Sequence, residues 1–312
     1  MDALANLEDA MREACRAVGI VPPQRTRPGA WAYTRVEGKG RGNTSGRVLV
    51  FPDGGGGVAW NWATGQSETF RVGGTGRAGQ VQRPARDFAA ERRREAERRE
   101  VAAMCEQLVQ ACSVRAHPYL ERKGFPAEVG LVIEREALGA ILAEPQRRAL
   151  PEGDGAVLVV PGRVGKQLTT VQFITPEGAK KNILGGAMSG ACRRIAAPSA
   201  RFGPIETWVC EGIATALSVR AALRMLGRWA TVLSAFSAHN VATVATRAGR
   251  AVIAADHDRP LEQFGGRGTG EHYAAGTGLP WVMPPEPGDW NDHHQAHGLR
   301  AVALALREVR PP

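Results

Sequence analysis

The sequence predicts an α/β protein with a parallel sheet in its C-terminal half and a small β-rich module near its N-terminus. Two observations carry that expectation. From about residue 155 onward, short apolar runs alternate with stretches of helical period, the later pairs reading as βαβ units. Residues 30–70 instead hold short β-prone runs separated by glycine-rich turns. The chain has 312 residues, enough for two domains or three small ones. At 43% hydrophobic and 23% charged, its composition is that of a globular protein with a sizeable core.

The elements follow in order. Residues 2–19 alternate apolar and polar at helical spacing and stop at Gly19, before Pro22 and Pro23. Trp31–Val36, Arg47–Phe51 and Val58–Trp62 read as strands, and Asp53-Gly54 supplies the positive φ that a hairpin turn demands. Residues 71–82, RVGGTGRAGQVQ, read as a linker. A long helical stretch follows to about Ser113. Its block ERRREAERRE (91–100) has charges that nearly cancel, so a solvated face is the preferred reading over a DNA-tracking one. Pro118 and Gly124 are expected to break the chain around HPYLERKG. Strands are then expected at Ala156–Val160, Thr169–Ile174, Thr207–Cys210, Ala230–Ala235, Ala251–Ala255 and Trp281–Met283. Helices are expected at Ile213–Met225, Ala238–Ala248 and Gly270–Ala275.

The net charge of +9 favours an acidic partner, of which nucleic acid is the commonest. Cys15, Cys105, Cys112, Cys192 and Cys210 form no C-x-x-C pair, which argues against a zinc ribbon or a disulfide framework and for a reducing, cytoplasmic setting. No apolar run approaches the length of a membrane span, and the acidic, amphipathic start is unlike a secretory signal, so no membrane partner is expected.

Carboxylates gather where predicted strands end. Glu211-Gly212 follows Thr207–Cys210, Asp256-His257-Asp258 follows AVIAA, and Asp289-Trp290-Asn291-Asp292 follows WVM. In open α/β sheets, sites form at the carboxyl ends of strands, and hard divalent cations take clustered oxygen ligands. Acids at such places also cap helices, so each cluster alone is weak evidence; the three together point to a metal site.

These residues carry a resemblance. VCEGIATALS (209–218) resembles the Glu-Gly signature of the Toprim domain shared by bacterial primases, topoisomerases and some nucleases, and AADHD (254–258) resembles its D-x-D motif, in the family's order. The likeness spans roughly residues 205–298. Upstream, GRVGKQLTTVQFITPEGAKKNILGGAMSG (162–190) is similar to the basic subdomain of bacterial primases, with Lys180-Lys181-Asn182 an approximate counterpart of its K-x-L-N-S-type stretch. HPYLERKG (117–124) and SAFSAHN (234–240) look like the Toprim primases of mobile elements: conjugative plasmids (the TraC type), phages and integrative elements. Two departures stand out. The zinc module that opens cellular primases has no counterpart in these residues, and the N-x-G step after D-x-D is replaced near Thr269-Gly270.

The resemblance implies a Rossmann-like Toprim domain at 205–312, preceded by a basic α+β subdomain at 126–204, a helical connector at 76–125 and the β-rich module at 1–75. It implies a DNA primase that makes short RNA primers on a single-stranded DNA template from ribonucleoside triphosphates with Mg²⁺ or Mn²⁺, alongside a separate replicative helicase. Asp256 and Asp258 are then the metal ligands, with Asp289 and Asp292 as further candidates, and Glu211 is either a ligand or the general base. Arg163, Lys166, Lys180, Lys181 and Asn182 are candidates for holding triphosphate or template. Trp31, Trp60 and Trp62 lie among cations in the N-terminal module and either stack on bases or build that module's core.

Other motifs fail. GRVGKQ imitates a P-loop, but Val160 stands where the first glycine belongs and Gln167 replaces the Ser or Thr. His293, His294 and His297 have a spacing zinc can use, yet solvated histidines are the preferred reading and no zinc is expected. Ser218 and Ser237 lack a nucleophile elbow. The rival functions are a Toprim nuclease or topoisomerase-like enzyme, and a catalytically idle single-stranded-DNA-binding protein of a mobile element. A topoisomerase needs a nucleophilic tyrosine, and Tyr33, Tyr119 and Tyr273 lie in no recognisable breakage domain.

Overall fold

A computed structural model describes residues 2–40, 42–72, 88–196 and 206–311. The chain divides into two compact units, one of residues 1–85 with 261–266, the other of residues 86–260 with 267–312. The expected linker at 71–82 lies, from residue 73 onward, outside the described residues, as do the expected domain boundaries near 75 and 204.

In the first unit, helix α1 (Asp2–Ala17) covers one face of an antiparallel sheet ordered β1 (Trp31–Thr34), β2 (Gly46–Val50), β3 (Gly56–Asn61), β4 (Gln66–Arg71). Met11, Ala14, Cys15 and Val18 recur at helical spacing and bury against Val48, Val50, Ala59 and Phe70, which alternate along their strands as period two requires. Asn61 is fully buried and donates from Nδ2 to the carbonyl of Val18 at 2.8 Å, tying the sheet to the end of the helix. The Asp53-Gly54 turn forms as expected, with Gly54 at φ +67°. Strand β4 was not expected, because QSETFR is polar and buries only Phe70; its ladder with β3 supplies what its composition does not.

The second unit holds two sheets. The first is antiparallel, in the order β5 (Ser113–Arg115), β6 (Gly130–Ile133), β7 (Val157–Val164), β8 (Gln167–Ile174), β9 (Lys180–Asn182). Helix α2 (Phe88–Ala111) lays Val101, Cys105 and Leu108 against Val159, Leu168, Val171 and Phe173, while residues 92–100 are exposed along their whole length. Pro118 does not break the chain. It starts helix α3 (Pro118–Arg122), whose N-cap His117 accepts from the Tyr119 N–H at 3.2 Å and bonds the Ala156 carbonyl through Nε2 at 3.0 Å. Proline is tolerated there because the first helical N–H has no partner to lose. Helix α4 (Arg135–Ile141) follows β6. GRVGKQ forms the β7–β8 hairpin turn, with Gly165 at φ +61°, and not a strand–loop–helix. The β7 and β8 runs therefore belong to this antiparallel layer, not to the parallel sheet that the alternation suggests.

The second sheet runs β10 (Arg193–Ala196), β12 (Ala230–Ser234), β11 (Glu206–Cys210), β13 (Val252–Ala254), β14 (Trp281–Val282), with β10 antiparallel and the others parallel. Helix α5 (Ile213–Met225) follows β11, α6 (Ala238–Ala248) follows β12, and α7 (Thr269–Ala275) lies between β13 and β14. Helices α8 (Trp290–His297) and α9 (Leu299–Leu306) end the unit and pack with α5 over Trp208, Val232 and Val252. Helices α6 and α7 cover Val209 and Ile253 on the other face. The chain leaves β11 toward β12 and leaves β13 toward β14, so the strand order reverses between β11 and β13. That reversal opens a crevice at their carboxyl ends, where open α/β sheets place ligands.

Candidate active site

Glu211 and Asp256 stand at the carboxyl ends of these two neighbouring strands. The backbone of Glu211 is held by the next strand's loop: its carbonyl accepts from Phe236 N–H at 2.8 Å and Ser234 Oγ at 3.0 Å. Phe236 takes φ +70°, the one described non-glycine residue in that region, and its ring is buried against Tyr119, Leu120 and Val160. A non-glycine residue held in this conformation stores strain that the surroundings must support. Beyond it, the Ala238 N–H at the start of α6 bonds the Glu211 carboxylate. Asn240, buried in the same loop, donates to the carbonyls of Ala191 and Ala235, both at 2.8 Å, and accepts from Gly190 N–H at 2.7 Å. The SAFSAHN segment thus fixes the wall of the crevice.

Asp256 and Asp258 leave β13 on the same side, while His257 between them pairs with Gly288 and bonds the Pro284 carbonyl from Nδ1 at 3.0 Å. Asp258 Oδ2 accepts from Gly270 N–H at 2.8 Å. A β-carbon on Gly268 would meet the Asp258 carbonyl oxygen at 2.4 Å, and one on Gly270 the Asp256 carbonyl oxygen at 2.4 Å. These two glycines let the start of α7 lie directly on the D-x-D backbone. Asp256 Oδ1 is buried with no hydrogen-bond partner.

The carboxylates act on one another. Burial, then repulsion from Asp258, pushes Glu211 up to about 7, with Asp289 adding to the rise and Lys180 opposing it. Burial, then repulsion from Glu211, Asp289 and Asp258, holds Asp256 well above the usual carboxylate range. Asp289 and Asp292 also form the capping box of α8. Asp289 Oδ1 accepts from the N–H groups of Asn291 (2.6 Å) and Asp292 (2.9 Å), and Asp292 Oδ2 accepts from Asp289 N–H at 3.1 Å. Asp292 Oδ1 lies 3.6 Å from Lys123 Nζ, so this residue turns out of the group.

The cation that reaches the carboxylates is Lys180. It shares its face of β9 with Asn182, beside Ile174, whereas Lys181 pairs with Phe173 on the α2 side. Lys180 Nζ lies 5.4 Å from the Tyr119 ring centroid and 3.8 Å from where a β-carbon on Gly212 would sit. Lys181 and Lys166 are exposed. Arg163 donates from Nη1 to the Lys166 carbonyl at 2.9 Å, with Glu106 at 3.6 Å, and Asn182 accepts from Gln172 at 3.1 Å. Sequence reasoning passed over Arg193 of β10. It is half-buried near Arg163, and burial and that neighbour's charge lower its pKa.

His293 and His297 of α8 lie together, 4.7 Å between ring centroids, while His294 turns to a different partner. His294 Nδ1 meets Ser218 Oγ at 3.2 Å, His297 Nε2 meets Glu286 at 3.1 Å, and His293 packs on Trp290 and His297. Trp31, Trp60 and Trp62 lie in the other unit, on the sheet face opposite α1, so they are not that module's core. Among the described residues, no three His, Cys, Asp or Glu side chains stand as a ready-made metal cage. The donor chemistry still fits a hard divalent cation: all are carboxylates, they repel one another, and Asp256 keeps a buried oxygen without a donor.

The chain is similar to solved structures at low identity. It shares 13% identity with a DnaG primase catalytic domain bound to ssDNA, covering 70% of this chain and 81% of that one, with a TM-score of 0.43. The RNA polymerase domain of Mycobacterium tuberculosis primase DnaG shares 18%, covering 73% and 78%, with a TM-score of 0.34. The E. coli primase catalytic core shares 13%, covering 72% and 74%, with a TM-score of 0.35. Residues 206–300 match the Toprim domain family. Residues 206–300 of this α/β protein, with Glu211 and Asp256 at the ends of β11 and β13, are therefore a Toprim domain.

Proposed function

We propose that the protein is a DNA primase, a nucleotidyltransferase that extends short RNA primers on single-stranded DNA from ribonucleoside triphosphates. One observation carries the reading: within a Toprim domain, Glu211, Asp256, Asp258 and Asp289 repel one another at the reversal of strand order, and Lys180 enters from a neighbouring antiparallel sheet. The reaction joins a primer 3′-hydroxyl oxygen to the α-phosphorus of a nucleotide, breaks the bond to pyrophosphate and releases the hydroxyl proton. Glu211, a buried carboxylate beside these aspartates, is suited to take that proton. Asp256, Asp258 and, through its uncapped oxygen, Asp289 are the residues to hold Mg²⁺ or Mn²⁺, which when bound stabilises the attacking and leaving oxygens. Lys180 holds the triphosphate, since an ammonium near phosphate oxygens favours their negative charge. Asp292 is a capping residue in this reading, and Arg163, Lys166, Lys181 and Asn182 are assigned to binding the template.

The HPYLERKG and SAFSAHN segments support the finer assignment to the TraC-type primases of mobile elements, working in the cytoplasm beside a separate helicase. The deciding experiment incubates the protein with single-stranded DNA, labelled ribonucleotides and Mg²⁺ or Mn²⁺. Short labelled RNA supports primase. Cut template identifies the Toprim nuclease, and retention of DNA alone identifies the idle binder.

A further inference from the structure

The four-stranded sheet of the N-terminal unit has one covered face and one open one. Alternation sends Val48, Val50, Ala59, Asn61 and Phe70 toward α1. It sends Trp31, Tyr33, Arg47, Trp60 and Arg71 to the opposite face, where Tyr33, Arg47 and Trp60 lie directly across from one another on β1, β2 and β3. Trp62 continues the line past the end of β3. The rings form a series: Trp31 to Trp60 is 6.3 Å between centroids, and Trp60 to Trp62 is 5.2 Å, stacked at 27°. Three of the rings stay open, Trp31 at 37% exposed, Tyr33 at 59% and Trp62 at 53%, and a contiguous patch of this kind marks an interaction surface.

Arg47 sits inside this series. Its guanidinium carbon lies 4.2 Å from the Trp62 ring centroid and 5.1 Å from that of Tyr33. Its Nε is buried with no hydrogen-bond partner, and no ion pair forms to it among the described residues. Two rings thus hold a cation whose Nε has no acceptor among the described residues. Residues 20–72 carry seven Lys and Arg against three Asp and Glu. A flat row of rings takes bases by their faces, and a cation with unused planar donors takes a phosphate.

We propose that this face binds single-stranded DNA, with bases stacking on Trp31, Tyr33 and Trp62 and a backbone phosphate on Arg47. The choice of DNA over RNA rests on the proposed primase reaction, whose template is DNA. The stacking chemistry is indifferent to base identity, so binding should show little sequence preference.

The test uses the full chain without metal or nucleotide, titrated into fluorescently labelled oligothymidylate while anisotropy and tryptophan emission are read. Trp62→Ala and Tyr33→Ala should each weaken binding roughly 5- to 100-fold, the range that a lost base stack of ~1–3 kcal/mol gives, with melting temperature unchanged. Trp62→Phe should recover most of the loss. Arg47→Ala should flatten the plot of log affinity against log salt by about 0.7, one phosphate contact on a single strand. Emission should fall as the parent binds.

Parent-like binding by both aromatic variants overturns the proposal. So does a lowered melting temperature with intact binding, which makes the rings part of the fold. A parent dimer that Trp62→Ala dissociates without loss of DNA affinity makes the face a contact between copies. Tighter binding of oligouridylate through the same residues replaces DNA with RNA. These outcomes stand apart from primer synthesis, which the parent performs or fails to perform in a separate assay.

Discussion

Lys180 and Glu211 belong to different sheets yet share one space. The ammonium stands 3.8 Å from where Gly212 would carry a β-carbon, and its charge pulls the Glu211 carboxyl down while burial and Asp258 push it up. A β-carbon there would only touch the lysine, so it takes a side chain larger than alanine's methyl at position 212 to crowd it. Gly212→Leu should therefore lower primer synthesis with little change in melting temperature, read by the labelled-nucleotide assay beside thermal unfolding.

The same relationship separates two adjacent lysines. Lys180→Ala should raise KM for the nucleotide roughly fivefold, the equivalent of about 1 kcal/mol for an exposed ionic contact. Lys181→Ala, on the other face of β9, should leave that KM unchanged and weaken only template binding. Equal effects on nucleotide KM would contradict the placement.

The carboxylate group predicts an uncommon pH dependence. Glu211 has an ordinary value of 4.5 and stands at about 7 in the fold, so between these values the folded state binds more protons than the unfolded one. Stability without metal should then fall as pH rises from about 4.5 to about 7, and this contribution should level off above that. Asp256, also raised, acts in the same sense. Mg²⁺ or Mn²⁺ should raise the melting temperature most at the upper end of the window, by mass action on the folded state. Asp256→Asn with Asp258→Asn should remove the metal effect and flatten the pH profile. A metal-induced rise that survives both changes would place the ion elsewhere.

Asn240 provides a structural contrast. Asn240→Ala removes the partners of Ala191 O, Ala235 O and Gly190 N–H, at a cost of at least about 1–3 kcal/mol for buried groups left unpaired. Chemical denaturation should show that loss, and synthesis should fall with it through displacement of the Phe236 loop.

Much of this was legible in the sequence because it is local. Helices α5 and α6 fall where the 3.6-residue period puts them, and Glu211 and Asp256 follow apolar runs that end abruptly. The Asp53-Gly54 hairpin follows from the φ its turn requires. What was not legible depends on distant partners. Strand β4 exists through its ladder with β3, and only pairing with β8 shows which of Lys180 and Lys181 faces the carboxylates. The period of Trp60 and Trp62 put them on one face, but where α1 docks decides that the face is open. The carboxylates of Asp289 and Asp292 look alike in sequence. The cap of α8 and Lys123 set them apart.

The most direct test of the account replaces Glu211 with Gln, which keeps its size and removes its charge. The parent chain, given single-stranded DNA, labelled ribonucleotides and Mg²⁺ or Mn²⁺, should produce short labelled RNA. Glu211→Gln should lower that synthesis at least about a hundredfold, the scale expected when a general base is lost. It should leave DNA binding unchanged and, by relieving the repulsion with Asp256 and Asp258, hold or raise the metal-free melting temperature. Absence of RNA from the parent, or parent-like synthesis by the variant, would contradict the account.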